Sequence, residues 1–126
     1  MAYEMDVLDV TLLAAGDLSA YQYRFVKMSA DNTVDVCGKG ETPIGILQNA
    51  PSVAGQAARV RVFGVSRLEM QATIAAGAYV GSEADGEGVT VSADTGIYCA
   101  VCLDGETLAS NELCSVLLVG PSTISV

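Results

Sequence analysis

Four thiols and fifteen carboxylates are the groups in this sequence best equipped for chemistry. Cys99 and Cys102 form a C-x-x-C pair, a spacing used by redox and zinc sites. A tetrahedral zinc site wants four thiolate or imidazole ligands, and the sequence has neither a second C-x-x-C nor any histidine. Ile97 to Leu103 also reads as a strand, on which residues three apart point to opposite faces. The two thiols are therefore expected not to converge, and all four cysteines, with Cys37 and Cys114, to pack as small apolar residues. Without histidine, a Ser or Cys nucleophile lacks its usual base. Glu83, Asp85 and Glu87 put three hard oxygen ligands on one loop, which is calcium chemistry, but no EF-hand pattern surrounds them and a solvated turn is the simpler reading. Nothing in the spacing of the carboxylates favours a glycosidase pair. Gly38-Lys39 is the one Gly-Lys step, and it completes no phosphate-binding loop: Thr33 stands where the first Gly belongs, and Gly40 where Ser or Thr belongs. The expectation is a protein that is not an enzyme and carries no cofactor or metal.

Residues suited to a partner are easier to find. Arg59, Arg61 and Arg67 lie close in sequence, the first two on one strand face. As an interface patch they would pair with carboxylates of a neighbour; as plain surface residues they would keep a sheet face soluble. Tyr21, Tyr23 and Phe25 read as an aromatic row on one strand face, either core or contact. The first residues, 1–13, read either as an arm that adds a strand to a neighbour's sheet or as the first strand of the chain's own sheet. Tyr3, Met5, Val7 and Leu8 are what such an arm would present.

Those residues need a scaffold, and the scaffold reads as all-β. Leu8, Val10 and Leu12 alternate with polar residues. Val26 and Met28 continue from Phe25 with the phase flipped, which suggests a bulge. Ala30-Asp31-Asn32 is a turn, and Thr33 to Cys37 returns as the second half of a hairpin. Ile44 to Gln48 is a short strand. Ala58, Val60 and Val62 alternate with Arg59 and Arg61, giving one dry and one wet face, and Gly64 is expected to break that strand before Val65 to Met70. Ser66 to Ala76 fits neither period well and is read as strand and turn. Tyr79-Val80 and Val89 to Val91 flank the acidic loop as a hairpin. Ile97 to Leu103 and Leu113 to Val119 are apolar on both faces, so each is expected to be covered on both sides, by a second sheet or by a neighbouring subunit. The sum is one domain over residues 1–126: a compact β-sandwich or barrel of about 8–10 short strands with at most one short helix.

Composition narrows the partners. Charged residues are 17% of the chain, below the roughly 25% of ordinary domains, which suggests that other chains cover part of the surface. The net charge of −9 disfavours nucleic acid, whose phosphates call for clustered Lys and Arg. All six basic residues fall between Arg24 and Arg67, and Leu68 to Val126 holds eight acids and no base. That asymmetry suggests a mixed-charge half facing a partner and an acidic half facing solvent. No 18-residue apolar run offers a transmembrane helix. The start, Met1-Ala2-Tyr3-Glu4-Met5-Asp6, lacks the basic and apolar regions of a signal peptide, so synthesis and retention in the cytoplasm until assembly are expected.

Several words of the sequence, in order, resemble a family of small phage capsid cement, or decoration, proteins. They are Ala15-Gly16-Asp17-Leu18-Ser19-Ala20, Gln22-Tyr23-Arg24-Phe25-Val26-Lys27, Pro43-Ile44-Gly45-Ile46-Leu47-Gln48-Asn49-Ala50-Pro51, Ala54-Gly55-Gln56, Val60-Arg61-Val62, Gly64-Val65-Ser66 and Ile74-Ala75-Ala76-Gly77. Their order and spacing match from about Leu8 to Val91, roughly two-thirds of the chain. The resemblance implies a virion structural protein on the outer capsid surface, often a homotrimer, that bridges major capsid protein subunits and stabilises the shell. It supplies no catalytic residues. Some members of the family carry a recombinase label, which the missing phosphate loop argues against here. The alternative is a virion-displayed module that binds a host surface or glycan; the loops hold Gly, Ala, Ser and Glu, and the chain has no Trp, which counts against it.

Overall fold

A computed structural model of the chain describes residues 4–91, 96–104 and 113–123. Their secondary structure is all β, in nine strands: β1 (Met5–Ala14), β2 (Phe25–Ala30), β3 (Thr33–Val36), β4 (Gly45–Leu47), β5 (Ala57–Glu69), β6 (Tyr79–Ser82), β7 (Gly88–Thr90), β8 (Ile97–Cys102) and β9 (Leu113–Thr123). Five of them close a ring. β1 runs antiparallel along β5 and parallel to β3; β3 pairs with β2, β2 with β4, and β4 with β5. The other four extend from β5 in the order β9, β8, β6, β7. The 13-residue β5 joins the two parts: its first half is a stave of the ring, and its second half, Gly64 to Glu69, pairs with β9.

Two apolar clusters follow. Ala14, Leu18, Val26, Val34, Leu47, Ala58 and Val60 form one within the ring. Phe25, Ile46, Leu68, Met70, Ile74, Val80, Val116 and Leu118 form the other with the four cysteines. Sequence neighbours divide between them: Val26 and Leu47 belong to the ring, Phe25 and Ile46 to the second cluster. The start of β2 and the whole of β4 are thus covered on both faces, the situation in which alternation disappears from a strand. This is the physical reason for the phase flip at Phe25–Val26. The register irregularity of β2 lies further on, between Met28 and Ala30.

Other expectations change for equally local reasons. Gly64 does not break β5. It is buried with φ at 110°, and the strand passes through it. Tyr21 and Tyr23 precede β2 in a turn, so no aromatic strand row exists. Tyr23 has φ of 64°, a left-handed conformation costly for a residue with a side chain. It is held on both sides: its N–H donates to the Leu47 carbonyl at 2.7 Å and its carbonyl accepts from the Glu69 N–H at 2.8 Å. A register shift between Tyr98 and Ala100 breaks the alternation of β8, and Cys99 and Cys102 both enter the second core. The β2–β3 hairpin, with Asn32 left-handed at its turn, and the β6–β7 hairpin form as read from the sequence.

Candidate partner-binding surface

The N-terminal segment is a strand of the chain's own sheet. From Met5 to Leu13 it follows β5, and three arginines of β5 hold it there. Arg61 lies with its side chain 6% exposed, although its alternation with Val60 and Val62 reads as a wet position. Its Nε and Nη2 donate to the two carboxylate oxygens of Asp9 at 2.8 and 3.1 Å, and Nη1 donates to Glu4 at 3.2 Å and to the Val65 carbonyl at 3.1 Å. Such a two-pronged contact is the geometry in which a guanidinium binds a carboxylate best. Arg59 sits 3.5 Å from Asp9, and Arg67 3.7 Å from Glu4 while its guanidinium covers the Tyr23 ring. Glu4 and Asp9, which nothing in the sequence pattern singles out, are therefore the carboxylates that these arginines meet. Arg59 and Arg67 keep substantial exposure and remain accessible at the surface; Arg61 does not.

Apart from Thr11, what β1 turns outward is apolar. Met5, Val7 and Leu8 are exposed, Val7 to 78%, and Leu13 and Phe63 join them. Val7 stands where the β1–β5 register slips. Tyr3 lies outside the described residues. Among the described residues, strand partners reach the other edge of β1 only at Leu13 and Ala14, through β3, so Met5 to Leu12 offers an unpaired edge. Open edges of this kind are templates for a further strand. A second set of exposed apolar side chains, Tyr79, Leu117 and Val119, lies on β6 and β9.

No known protein family and no curated protein matches the sequence. The fold does have a solved counterpart, the N base of the head fibre protein gp8.5 of bacteriophage phi29. The two superpose with a TM-score of 0.69 over 94% of this chain and 98% of that one, at 11% sequence identity. The two chains share a fold. The likeness takes in nearly the whole of both, so it covers the ring and the β9–β8–β6–β7 extension together.

The remaining clusters of polar groups serve the fold. The acidic loop between β6 and β7 is tied back to the first half of the chain. Arg24 donates to Glu69 at 2.7 Å and to the Asp85 carbonyl at 3.3 Å, and Lys39 approaches Glu83 at 3.9 Å. Phe25 donates its N–H to the Gly86 carbonyl at 2.8 Å. The acidic and mixed-charge segments are thus in contact here, which blurs the polarity that their order in the sequence suggested. Glu87 is buried, and burial first, then the neighbouring Asp85, pushes its carboxyl above the ordinary range. Among the described residues no three Cys, Asp or Glu side chains are placed to hold a metal ion.

The four thiols are free and buried. Burial pushes Cys99 and Cys114 up to about 12 and raises Cys37, which keeps them from acting as thiolate nucleophiles at neutral pH. A groove of about 330 Å³ runs beside β7, lined by Lys39, Glu83, Val89, Val91 and Ile97 among others. Among the described residues its lining holds no aromatic ring.

Proposed function

We propose that this chain is a structural protein of a phage virion, without catalytic activity, that decorates the outer face of the capsid. The observation that carries the reading is the fold: end to end it is that of a phage head fibre base. The family-like words from Ala15 to Gly77 support the finer statement, a decoration protein that bridges major capsid subunits and works as a trimer. The burial of the four thiols and the aliphatic and polar lining of the groove favour this over catalysis or sugar binding.

The work such a protein does is mechanical. Each contact buried across a joint between capsid subunits raises the free energy needed to part them. A stable interface of this kind covers on the order of 2,000 Å² or more, and a trimer that grips several subunits at once gains further from multivalency. The open edge of β1 and its exposed side chains at Val7 and Leu8, with Arg59 beside them, are the surface we assign to the shell. Strand addition at that edge would give affinity through main-chain hydrogen bonds, and the apolar side chains would give specificity. The test compares purified particles with and without this protein under heat and chelator. The reading expects the bare particles to lose DNA at a lower temperature; equal stability would refute the stabilising role.

A further inference from the structure

One face of the sheet carries an apolar row that crosses five strands, from β1 and β5 into the extension. Residues directly opposite in a sheet share a face, so the register can be followed from strand to strand. Met5 stands opposite Val65, Val65 opposite Leu117, Leu117 opposite Val101, and Val101 opposite Tyr79. Val119, two residues beyond Leu117, points the same way. Met5, Tyr79, Leu117 and Val119 are 40 to 64% exposed. The opposite face of β8 and β9 is the core, with Cys102, Cys114, Val116 and Leu118 buried. This accounts for strands that are apolar on both sides: one side is filled by the chain itself, and on the other, among the described residues, Val65 and Ser115 are buried while Tyr79, Leu117 and Val119 stay exposed.

We infer that this face is where copies of the chain associate. The inference rests on the reading of the protein as a component that works in several copies, and it names the surface. Charge decides the occupant. The chain carries −9 over 126 residues, and a body of that charge repels its own copy wherever acidic surfaces meet. The row contains no Asp, Glu, Lys or Arg, and the charged residues at its margin, Arg67 and Glu4, offset each other at 3.7 Å. It is the combination that lets a strongly acidic protein meet itself. A partner selected by opposite charge would instead seek the acids of the β6–β7 loop. Tyr and Met with little charge is also the composition of an interface centre. Turned towards a shared axis, such faces from several copies would pack sheet against sheet at about 10 Å, as sheets pack within a domain.

Sedimentation velocity of the purified full chain at high micromolar concentration provides the test. The unaltered protein is expected to assemble. Leu117→Glu and Tyr79→Lys put a charge in the row and should weaken association roughly tenfold or more with an unchanged circular dichroism spectrum. Met28→Glu, on β2 and away from the row, should assemble normally. Amide hydrogen exchange on the unaltered chain is a readout that needs no variant: β8 and β9 should exchange more slowly in concentrated than in dilute protein. A monomer at high concentration, unaffected assembly in both row variants, or exchange in β8 and β9 independent of concentration would overturn the inference. Assembly through this face by a protein that does not bind shells would uphold the face and refute the virion reading, so the two fail separately.

Discussion

Replacing Arg61 by Met is the sharpest test of how β1 is held. The change keeps much of the apolar stem and removes the guanidinium. Three hydrogen bonds to carboxylates are lost, and Asp9 and Glu4 are left without their principal partner. Removing one side of a buried ion pair costs about 3–5 kcal/mol. Asp9 and Glu4 keep 17 and 28% exposure, and Arg59 remains 3.5 Å from Asp9, so water and Arg59 recover part of the loss. The low end, about 3 kcal/mol, is expected, or a fall in Tm of about 10 °C for a domain of this size. Urea unfolding of the Arg61→Met, Asp9→Asn and double variants measures it. Because the residues form one network, the double variant should cost less than the sum of the single ones by about 1 kcal/mol or more. A loss below about 0.5 kcal/mol, the scale of ordinary surface changes, would show that Arg61 does not hold the strand and is free to meet a partner.

The other predictions are independent of that network. Gly45→Ala should destabilise by about 2 kcal/mol or more, because a Cβ there collides with the Arg61 carbonyl; Gly16→Ala, with nothing within 4 Å, should be neutral in the same thermal melts. Glu87 has its carboxyl raised in the folded state, so between its ordinary value of about 4.5 and the raised one the folded chain holds more protons than the unfolded chain. Its ionisation therefore costs stability in full above the folded value, and the cost is relieved as pH falls through that value towards the ordinary one. Glu87→Gln should raise Tm near neutral pH and flatten that stretch of the Tm–pH curve; an unchanged curve would refute the assignment. A thiol reagent at pH 8 should modify none of the four cysteines of the folded protein quickly and all four in denaturant, measured by absorbance; fast reaction of Cys99 or Cys114 in the folded state would contradict their burial.

Much of this fold is legible in the sequence because turns announce themselves. Asn32 and the Ser82 to Gly88 loop mark two hairpins, and the alternation Ala58–Val60–Val62 marks the barrel face of β5. What is not legible depends on which elements meet in space. Phe25 and Val26 face different cores because β2 lies between them, and no local pattern says so. Arg61 alternates like a surface residue and is buried because Glu4 and Asp9 arrive from a strand more than fifty positions away. The Tyr21–Tyr23–Phe25 period resembles a strand, but tertiary hydrogen bonds hold Tyr23 left-handed. For the partner surface, the exposed Met5, Val7 and Leu8 stand out in the sequence as a segment. The apolar row of Tyr79, Leu117 and Val119 shows there only as strands hydrophobic on both sides, since the register that aligns them belongs to the sheet.

The central claim is that the protein belongs on the outside of a phage shell. Cryo-electron microscopy of the particle, produced with and without this chain, tests it most directly. The account predicts density of this fold on the outer surface, in symmetric clusters over joints between capsid subunits, with β1 against the shell, and its loss when the chain is omitted. Identical maps with and without the chain, or density at the tail or inside the shell, would contradict it.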